Sequence, residues 1–174
     1  MTLAQAYAAL AAFLLVAGWL VFTDAALLRT FRNSRPASLV LVVTVSAWFG
    51  WWLLNLPDPD LAGLPRLPVA AGFTLCALAT YVYMPDLLAV RSLGVSMMFL
   101  ARHVLDAGFG RLPDSLLAAS LSYGLLVIFG LWWAASPPAF VRLCDWTLAE
   151  SLRRRTAGAA LLLSGAACAF SALA

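Results

Sequence analysis

The chain has 174 residues, 64% of them hydrophobic, with a mean hydropathy of +0.93 and a net charge of +3. Its uncharged segments approach the ~20 apolar residues that a helix needs to cross ~30 Å of hydrocarbon, which excludes a small water-soluble domain. The arginines form no basic stripe, so nucleic acid is not an expected partner. The expected fold class is an all-α polytopic transmembrane helical bundle, forming one integral membrane domain over residues 1–174 in the bacterial cytoplasmic (inner) membrane.

The apolar segments predict six transmembrane helices, at about residues 3–23, 37–54, 69–84, 87–107, 115–135 and 156–173. The first segment lacks the basic start and short apolar core of a secretory signal, so we expect a retained helix. A basic loop follows it, and Pro36 opens the second helix. A proline-rich loop over 55–68 contains Asp58 and Asp60, and Pro85 ends or kinks the third helix.

The fourth segment allows two interpretations. Only ten residues separate Arg91 from Arg102, which is too few to cross ~30 Å at about 1.5 Å per residue. Arginine side chains that extend toward opposite headgroup layers lengthen the effective span. The segment is therefore either a short spanning helix or a helix that lies in the membrane interface.

The distribution of arginines favours six spans over five. With six spans and the N-terminus outside, inner loops hold eight arginines and outer loops hold three, whereas five spans divide them six to five. Because cytoplasmic loops carry an excess of basic residues, we expect six spans with both termini outside. The eight inner residues are Arg29, Arg32, Arg35, Arg91, Arg142, Arg153, Arg154 and Arg155, and the outer ones are Arg66, Arg102 and Arg111.

The densest group of polar side chains lies on and just before the fourth segment, and it is the candidate functional cluster: Asp86, Arg91, Arg102, His103 and Asp106. A helix places residues three and four apart on one side, so the last three can meet. Ionisable groups at membrane depth are costly and often mark proton or substrate paths. The alternative is that they end the helix in the headgroup layer and neutralise one another. Asp24, at the end of the first helix, has the same two interpretations.

Residues 138–155 are predicted to form an amphipathic connector before the last helix. Its candidate partner-binding or lipid-binding residues are Arg142, Trp146, Arg153, Arg154 and Arg155. One interpretation places the connector on the inner leaflet, with its arginines near anionic lipid. The other makes it a docking surface for a cytoplasmic or membrane partner.

The sequence contains no pattern typical of catalysis or of a cofactor. Three cysteines show no metal-ligand spacing, the single histidine cannot supply two haem ligands, and no phosphate-binding, metalloprotease or nucleophile-elbow motif is present. We therefore expect no cofactor and no metal site. Small residues at four-residue spacing favour close helix packing within an assembly, and they are Ala4, Ala8 and Ala12, then Ala160, Ser164, Cys168 and Ala172.

These observations leave three functional hypotheses. The leading one is a non-catalytic integral membrane subunit, or an assembly or scaffold partner, of a larger bacterial membrane complex, in contact with lipid and with other integral subunits or a second copy. The alternative is a small proton-coupled transporter that uses Arg102, His103 and Asp106. The third is a membrane enzyme that acts on lipid or quinone, with His103 and Asp106 as its acid and base.

Overall fold

A computed structural model describes residues 1–23, 25–57, 63–84 and 86–173. Every regular element in these residues is helical. Six helices are long and apolar enough to cross a bilayer, which confirms the all-helical class and the six helices of membrane-spanning length. They are Leu3–Thr23, Arg35–Leu54, Arg66–Tyr83, Leu88–Gly108, Leu116–Ala135 and Ser151–Leu173.

We number the helices in chain order. The first five are α1 (Leu3–Thr23), α2 (Ala25–Phe31), α3 (Arg35–Leu54), α4 (Arg66–Tyr83) and α5 (Leu88–Gly108). The fifth long helix consists of α6 (Leu116–Leu121), a π-helical segment (Ser122–Val127) and α7 (Ile128–Ala135). The last two are α8 (Pro137–Leu148) and α9 (Ser151–Leu173). The short helix α2 occupies most of the segment predicted to be a basic loop.

Helices α3 and α4 begin earlier than the apolar pattern predicts, although prolines lie in their first turns. The hydroxyl of Ser34 accepts a hydrogen bond from the Ala37 amide at 3.3 Å and caps α3, so the helix already includes Arg35. Pro36 and, in α4, Pro68 lack an N–H group, but the first amides of a helix have no partner within the helix. A proline in the first turn therefore does not delay the start of a helix.

The ambiguous fourth segment is a full-length helix. Helix α5 has 21 residues, which gives it a length of about 31 Å, close to the thickness of the hydrocarbon layer. It extends beyond Arg91 on one side and Arg102 on the other, so the distance between the two arginines underestimates its length. It is also the central helix of the bundle and packs against α1, α3 and the α6–α7 span.

Helices α1 and α9 pack closely in opposite directions. Gly158 lies against Phe22 near the end of α1, and Gly165 lies against Leu15, about two helical turns earlier in α1. Because glycine has no side chain, the two helices can approach each other closely, as small residues allow between membrane helices. Helix α9 therefore ends beside the start of α1.

One end of the bundle, which we call the N-terminal end, carries the start of α1. There the hydroxyl of Tyr7 donates a hydrogen bond of 2.6 Å to the carbonyl of Asp114, just before α6. At the same end, the guanidinium of Arg102 near the end of α5 lies over the ring of Trp52 near the end of α3. The starts of α1 and α6 and the ends of α3 and α5 thus lie together.

The other end, which we call the arginine-rich end, carries the two short helices. Arg91 near the start of α5 donates a hydrogen bond to the carbonyl of Ala134 near the end of α7. Arg32, just after α2, is 3.9 Å from a carboxylate oxygen of Asp145 on α8. The six long helices therefore alternate in direction, and this end holds the larger arginine group: Arg29, Arg32, Arg35, Arg91, Arg142, Arg153, Arg154 and Arg155.

The core lies between α1, α5, the α6–α7 span and α9. Its buried members include Leu10 and Leu14 of α1, Met97 of α5 and Leu126 of the π-helical segment. Helices α5 and α7 meet backbone to backbone at two glycines: a Cβ added to Gly94 would lie only 2.5 Å from the Gly130 carbonyl oxygen. The closest packing in the bundle therefore depends on residues without side chains.

Residues 138–155 lie in two helices: α8 ends at Leu148 and α9 begins at Ser151. The three consecutive arginines therefore lie within the first five residues of α9. Arginine favours helix, and a helix continues beyond the apolar residues that mark the membrane boundary. The predicted small-residue rows are also divided, because Ala4, Ala8 and Ala12 are exposed whereas Cys168 is buried in the core.

Candidate functional site

The structure divides the candidate polar cluster between the two ends of α5. Asp86 and Arg91 lie at the arginine-rich end, and Arg102, His103 and Asp106 lie near the N-terminal end. The two arginines are eleven positions apart in the chain, a distance of about 16 Å along the helix axis. The five side chains therefore do not form one site.

Arg102 and Asp106 form an ion pair at the surface of the bundle. The guanidinium Nε is 3.6 Å from a carboxylate oxygen, and the side chains are 46% and 70% exposed. Such a pair contributes at most about 1 kcal/mol in water. The guanidinium carbon also lies 4.5 Å from the centroid of the Trp52 ring, an arrangement typical of an aromatic belt at a membrane interface.

His103 is held by its own helix and by an aromatic neighbour. Its Nδ1 atom lies 2.9 Å from the carbonyl oxygen of Phe99, and because a carbonyl only accepts hydrogen bonds, Nδ1 carries the proton. The imidazole centroid is 5.0 Å from that of Trp48 on α3. The structure shows no hydrogen bond between His103 and Asp106, so the pair that a proton relay requires is not formed in this conformation.

At the opposite end of α5, Arg91 has a structural partner. Its Nη1 atom donates a 3.1 Å hydrogen bond to the carbonyl of Ala134, one of the last carbonyls of α7, which have no N–H donor within their own helix. Asp86 is exposed in the turn that precedes α5. Arg91 therefore connects α5 to α7, and Asp86 lies in the turn between α4 and α5.

The candidate partner-binding or lipid-binding residues surround the break between α8 and α9. Arg153 contacts Glu150 at 2.9 Å, and its guanidinium lies 5.0 Å from the ring centroid of Trp146 on α8. Arg142 and Arg155 are exposed and Arg154 is half-buried. The break therefore gathers cationic groups and one exposed indole at the arginine-rich end.

Helices α2 and α8 pack together across this end. The rings of Phe31 and Phe140 are 6.0 Å apart, next to the ion pair of Arg32 with Asp145. Burial, and then the negative charge of Asp145, raise the pKa of the neighbouring Cys144 thiol to about 11, although Arg32 acts in the opposite direction. The thiol is thus protonated at neutral pH and is a poor nucleophile.

Two features of the structure were not predicted from the sequence. One is the hydroxyl of Tyr7, which joins α1 to α6. The other is a cavity of about 270 Å³ at the arginine-rich end, lined by Arg35, Ser38, Tyr81, Val82 and Leu88. The sequence places Arg35 at the start of one helix and Tyr81 near the end of the next. These two residues are expected to be neighbours only once α3 and α4 are known to pack antiparallel.

Some candidates lie outside the described residues: Asp24, Asp58, Asp60 and Pro85. Within the described part of the chain, no group of three or more His, Cys, Asp or Glu side chains is placed to hold a metal ion. The fold is thus an all-helical bundle with six helices of membrane-spanning length. Comparison of the chain with protein-family models, curated proteins and solved structures finds no match.

Proposed function

We propose that this chain is a six-span integral protein of the bacterial cytoplasmic membrane that acts as a non-catalytic subunit or assembly partner of a larger membrane complex. Its partners are the lipid bilayer and at least one other integral membrane subunit. The observation that carries the proposal is helix α4, which adds almost nothing to the core of its own chain.

The proposed orientation places the arginine-rich end in the cytoplasm and both termini outside. Eight arginines lie at that end and three at the other, among them Arg66 and Arg111. An excess of basic residues near the ends of membrane helices marks the cytoplasmic side. On this side, the exposed Arg142, Arg155 and Trp146 of the α8–α9 break are placed to meet anionic headgroups.

Helix α4 packs against α3 and leaves most of its surface free. Of the 18-residue apolar stretch of α4, only 6% of the residues are buried, compared with 17% to 44% in the other five long helices. Ala70 is its single fully buried residue, whereas Phe73, Leu75 and Val82 are exposed. A spanning helix that packs mainly on one neighbour, α3, and leaves its other faces free is well placed to contact a neighbouring protein.

The free surface of α4 also permits a close approach. Gly72 has no atom within 4 Å of an added Cβ, and the exposed Cys76 follows one turn later. In lipid, where association depends on van der Waals packing, small residues four positions apart allow two helix backbones to come close. We therefore place the contact with the second subunit on this face of α4.

The test is purification of the tagged chain from its native host in a mild detergent. We expect a second integral membrane protein in fixed stoichiometry, and we expect a photo-cross-linker placed at Leu75 to attach to it. The variant Gly72→Leu should lose the partner, because the leucine occupies the space where the helices meet. The matched control is Gly124→Leu, since Gly124 is equally open but lies on the α6–α7 span.

Two outcomes contradict the proposal. Recovery of the chain alone, under conditions that keep other complexes of the same membrane intact, would show that it is not a subunit. Equal retention of the partner by Gly72→Leu and Gly124→Leu would show that α4 is not the contact surface.

Orientation has its own measurement, in a variant that contains no other cysteine. A cysteine at Leu64 should react with a membrane-impermeant maleimide in intact cells. A cysteine at Arg154 should react only after the cells are opened. The reverse pattern would show that the arginine-rich end faces outward.

A further inference from the structure

The cavity at the arginine-rich end combines a cation with an apolar wall. It lies between the start of α3, the end of α4 and the start of α5, where Arg35, Ser38 and Tyr81 supply polar groups, and Val82 and Leu88 supply the apolar side. Its volume of about 270 Å³ is below the roughly 300–1,000 Å³ of pockets that enclose a whole small molecule. It is therefore suited to one part of a larger ligand.

The polar groups of the cavity favour an anion. Arg35 forms no ion pair with a carboxylate of the described residues, and its guanidinium offers several N–H donors in the planar arrangement that matches phosphate oxygens. Tyr81 adds a phenolic O–H. The Ser38 hydroxyl already donates to the Ser34 carbonyl at 3.0 Å, so it forms part of the wall and is not a free donor.

Exposed apolar side chains continue along α3 from the cavity toward the middle of the helix. Leu39 and Val43 follow Arg35 by four and eight residues, on the same face of α3, and are 44% and 47% exposed. Across the cavity, Val82 of α4 is 71% exposed. A ligand with an anionic group at one end and hydrocarbon at the other matches this cationic cavity and the apolar surface beside it.

We infer that the cavity binds the phosphate group of a membrane phospholipid with a net negative headgroup, whose acyl chains lie along α3 and α4. Arg35 contacts the phosphate oxygens, and the Tyr81 hydroxyl donates a further hydrogen bond. An arginine that pairs with no carboxylate of the described residues favours an anionic over a zwitterionic lipid. The inference rests on the proposed membrane location and is independent of whether a protein partner binds α4.

The test is native mass spectrometry of the purified full-length chain in detergent micelles. Phosphatidylglycerol and phosphatidylcholine are added separately at equal concentrations, and inorganic phosphate is then added to the phosphatidylglycerol complex at the same concentration. We expect one bound phosphatidylglycerol, with weaker binding of phosphatidylcholine. Arg35→Gln should weaken phosphatidylglycerol binding about tenfold, since it removes a charge-assisted hydrogen bond. Arg35→Lys should lose less, because the charge remains.

The matched control is Arg111→Gln, the same change at an exposed position of the N-terminal end. It should leave binding unchanged. Tyr81→Phe should weaken binding about threefold and serves as a second variant that preserves the charge and packing. Circular dichroism of each variant shows whether the fold is kept.

Two results would overturn the inference. One is equal retention of phosphatidylglycerol by the wild type and Arg35→Gln. The other is displacement of the lipid by an equal concentration of inorganic phosphate, which would identify a site for the free ion. Failure of the membrane proposal would be seen earlier and separately, as a chain that stays monodisperse in buffer without detergent.

Discussion

The contact between Gly94 and Gly130 predicts that even one added methyl group will separate α5 from α7. In Gly94→Ala the new Cβ would lie 2.5 Å from the Gly130 carbonyl oxygen and 2.8 Å from the Ala134 nitrogen. An ordinary carbon–oxygen contact is about 3.3 Å or more, so the helices must separate by roughly 1 Å. Both obstructing atoms belong to the backbone of α7, so no side-chain rotation relieves the clash.

The magnitude follows from two opposing terms. Overpacking a well-packed interior costs about 1–3 kcal/mol. Alanine is preferred over glycine inside a helix by roughly 0.5–1 kcal/mol. The control Gly72→Ala receives the second term alone, because an added Cβ at Gly72 meets no atom within 4 Å. We therefore expect Gly94→Ala to be less stable than Gly72→Ala by about 1–3 kcal/mol.

The measurement is equilibrium unfolding in mixed micelles, in which the fraction of denaturing detergent is raised and helix content is followed by circular dichroism. Both variants are compared with the wild type under the same conditions. If Gly94→Ala unfolds at the same detergent fraction as Gly72→Ala, the tight α5–α7 contact does not exist in the folded protein.

Three further predictions concern single polar groups. Tyr7→Phe should lower the free energy of unfolding by about 1 kcal/mol, because the hydrogen bonds of the hydroxyl are lost. The control Tyr123→Phe, at an exposed position, should change it little. Equal effects of the two variants would show that the Tyr7 hydroxyl does not join α1 to α6. Ser122→Ala should leave the free energy of unfolding unchanged or raise it, because this hydroxyl is fully buried without a partner among the described residues. A loss above about 1 kcal/mol would show that the Ser122 hydroxyl does form a hydrogen bond in the folded protein. Alkylation of Cys144 should be slow at pH 8, where a pKa of about 11 leaves about one thiol in a thousand ionised. Its rate should rise through pH 10 and increase in Asp145→Asn, which removes a charge that raises the pKa; a plateau by pH 9 would refute the raised value.

The candidate site was predictable only in part. Arg102 and Asp106 pair at the spacing that a helix allows. The wider cluster was grouped by proximity along the chain, but α5 is long enough to carry Arg91 to the opposite end. The imidazole of His103 bonds to the Phe99 carbonyl of its own helix. Spacing alone does not predict this partner, because Phe99 and Asp106, four and three positions away, are both within reach of the side chain.

The amino-acid pattern was sufficient to predict the class of fold, the six helices of membrane-spanning length and the two unequal groups of arginines. These properties follow from local physics: a buried backbone must satisfy its own hydrogen bonds, and charged side chains mark where an apolar segment ends. The choice of neighbours depends on tertiary packing, in which α1 pairs with α9, α5 is central and α4 is peripheral. The peripheral α4 and the central α5 are nearly equal in hydropathy, so hydropathy does not select neighbours. The selection depends on which surfaces fit together, as where Gly94 meets Gly130 and Gly158 meets Phe22.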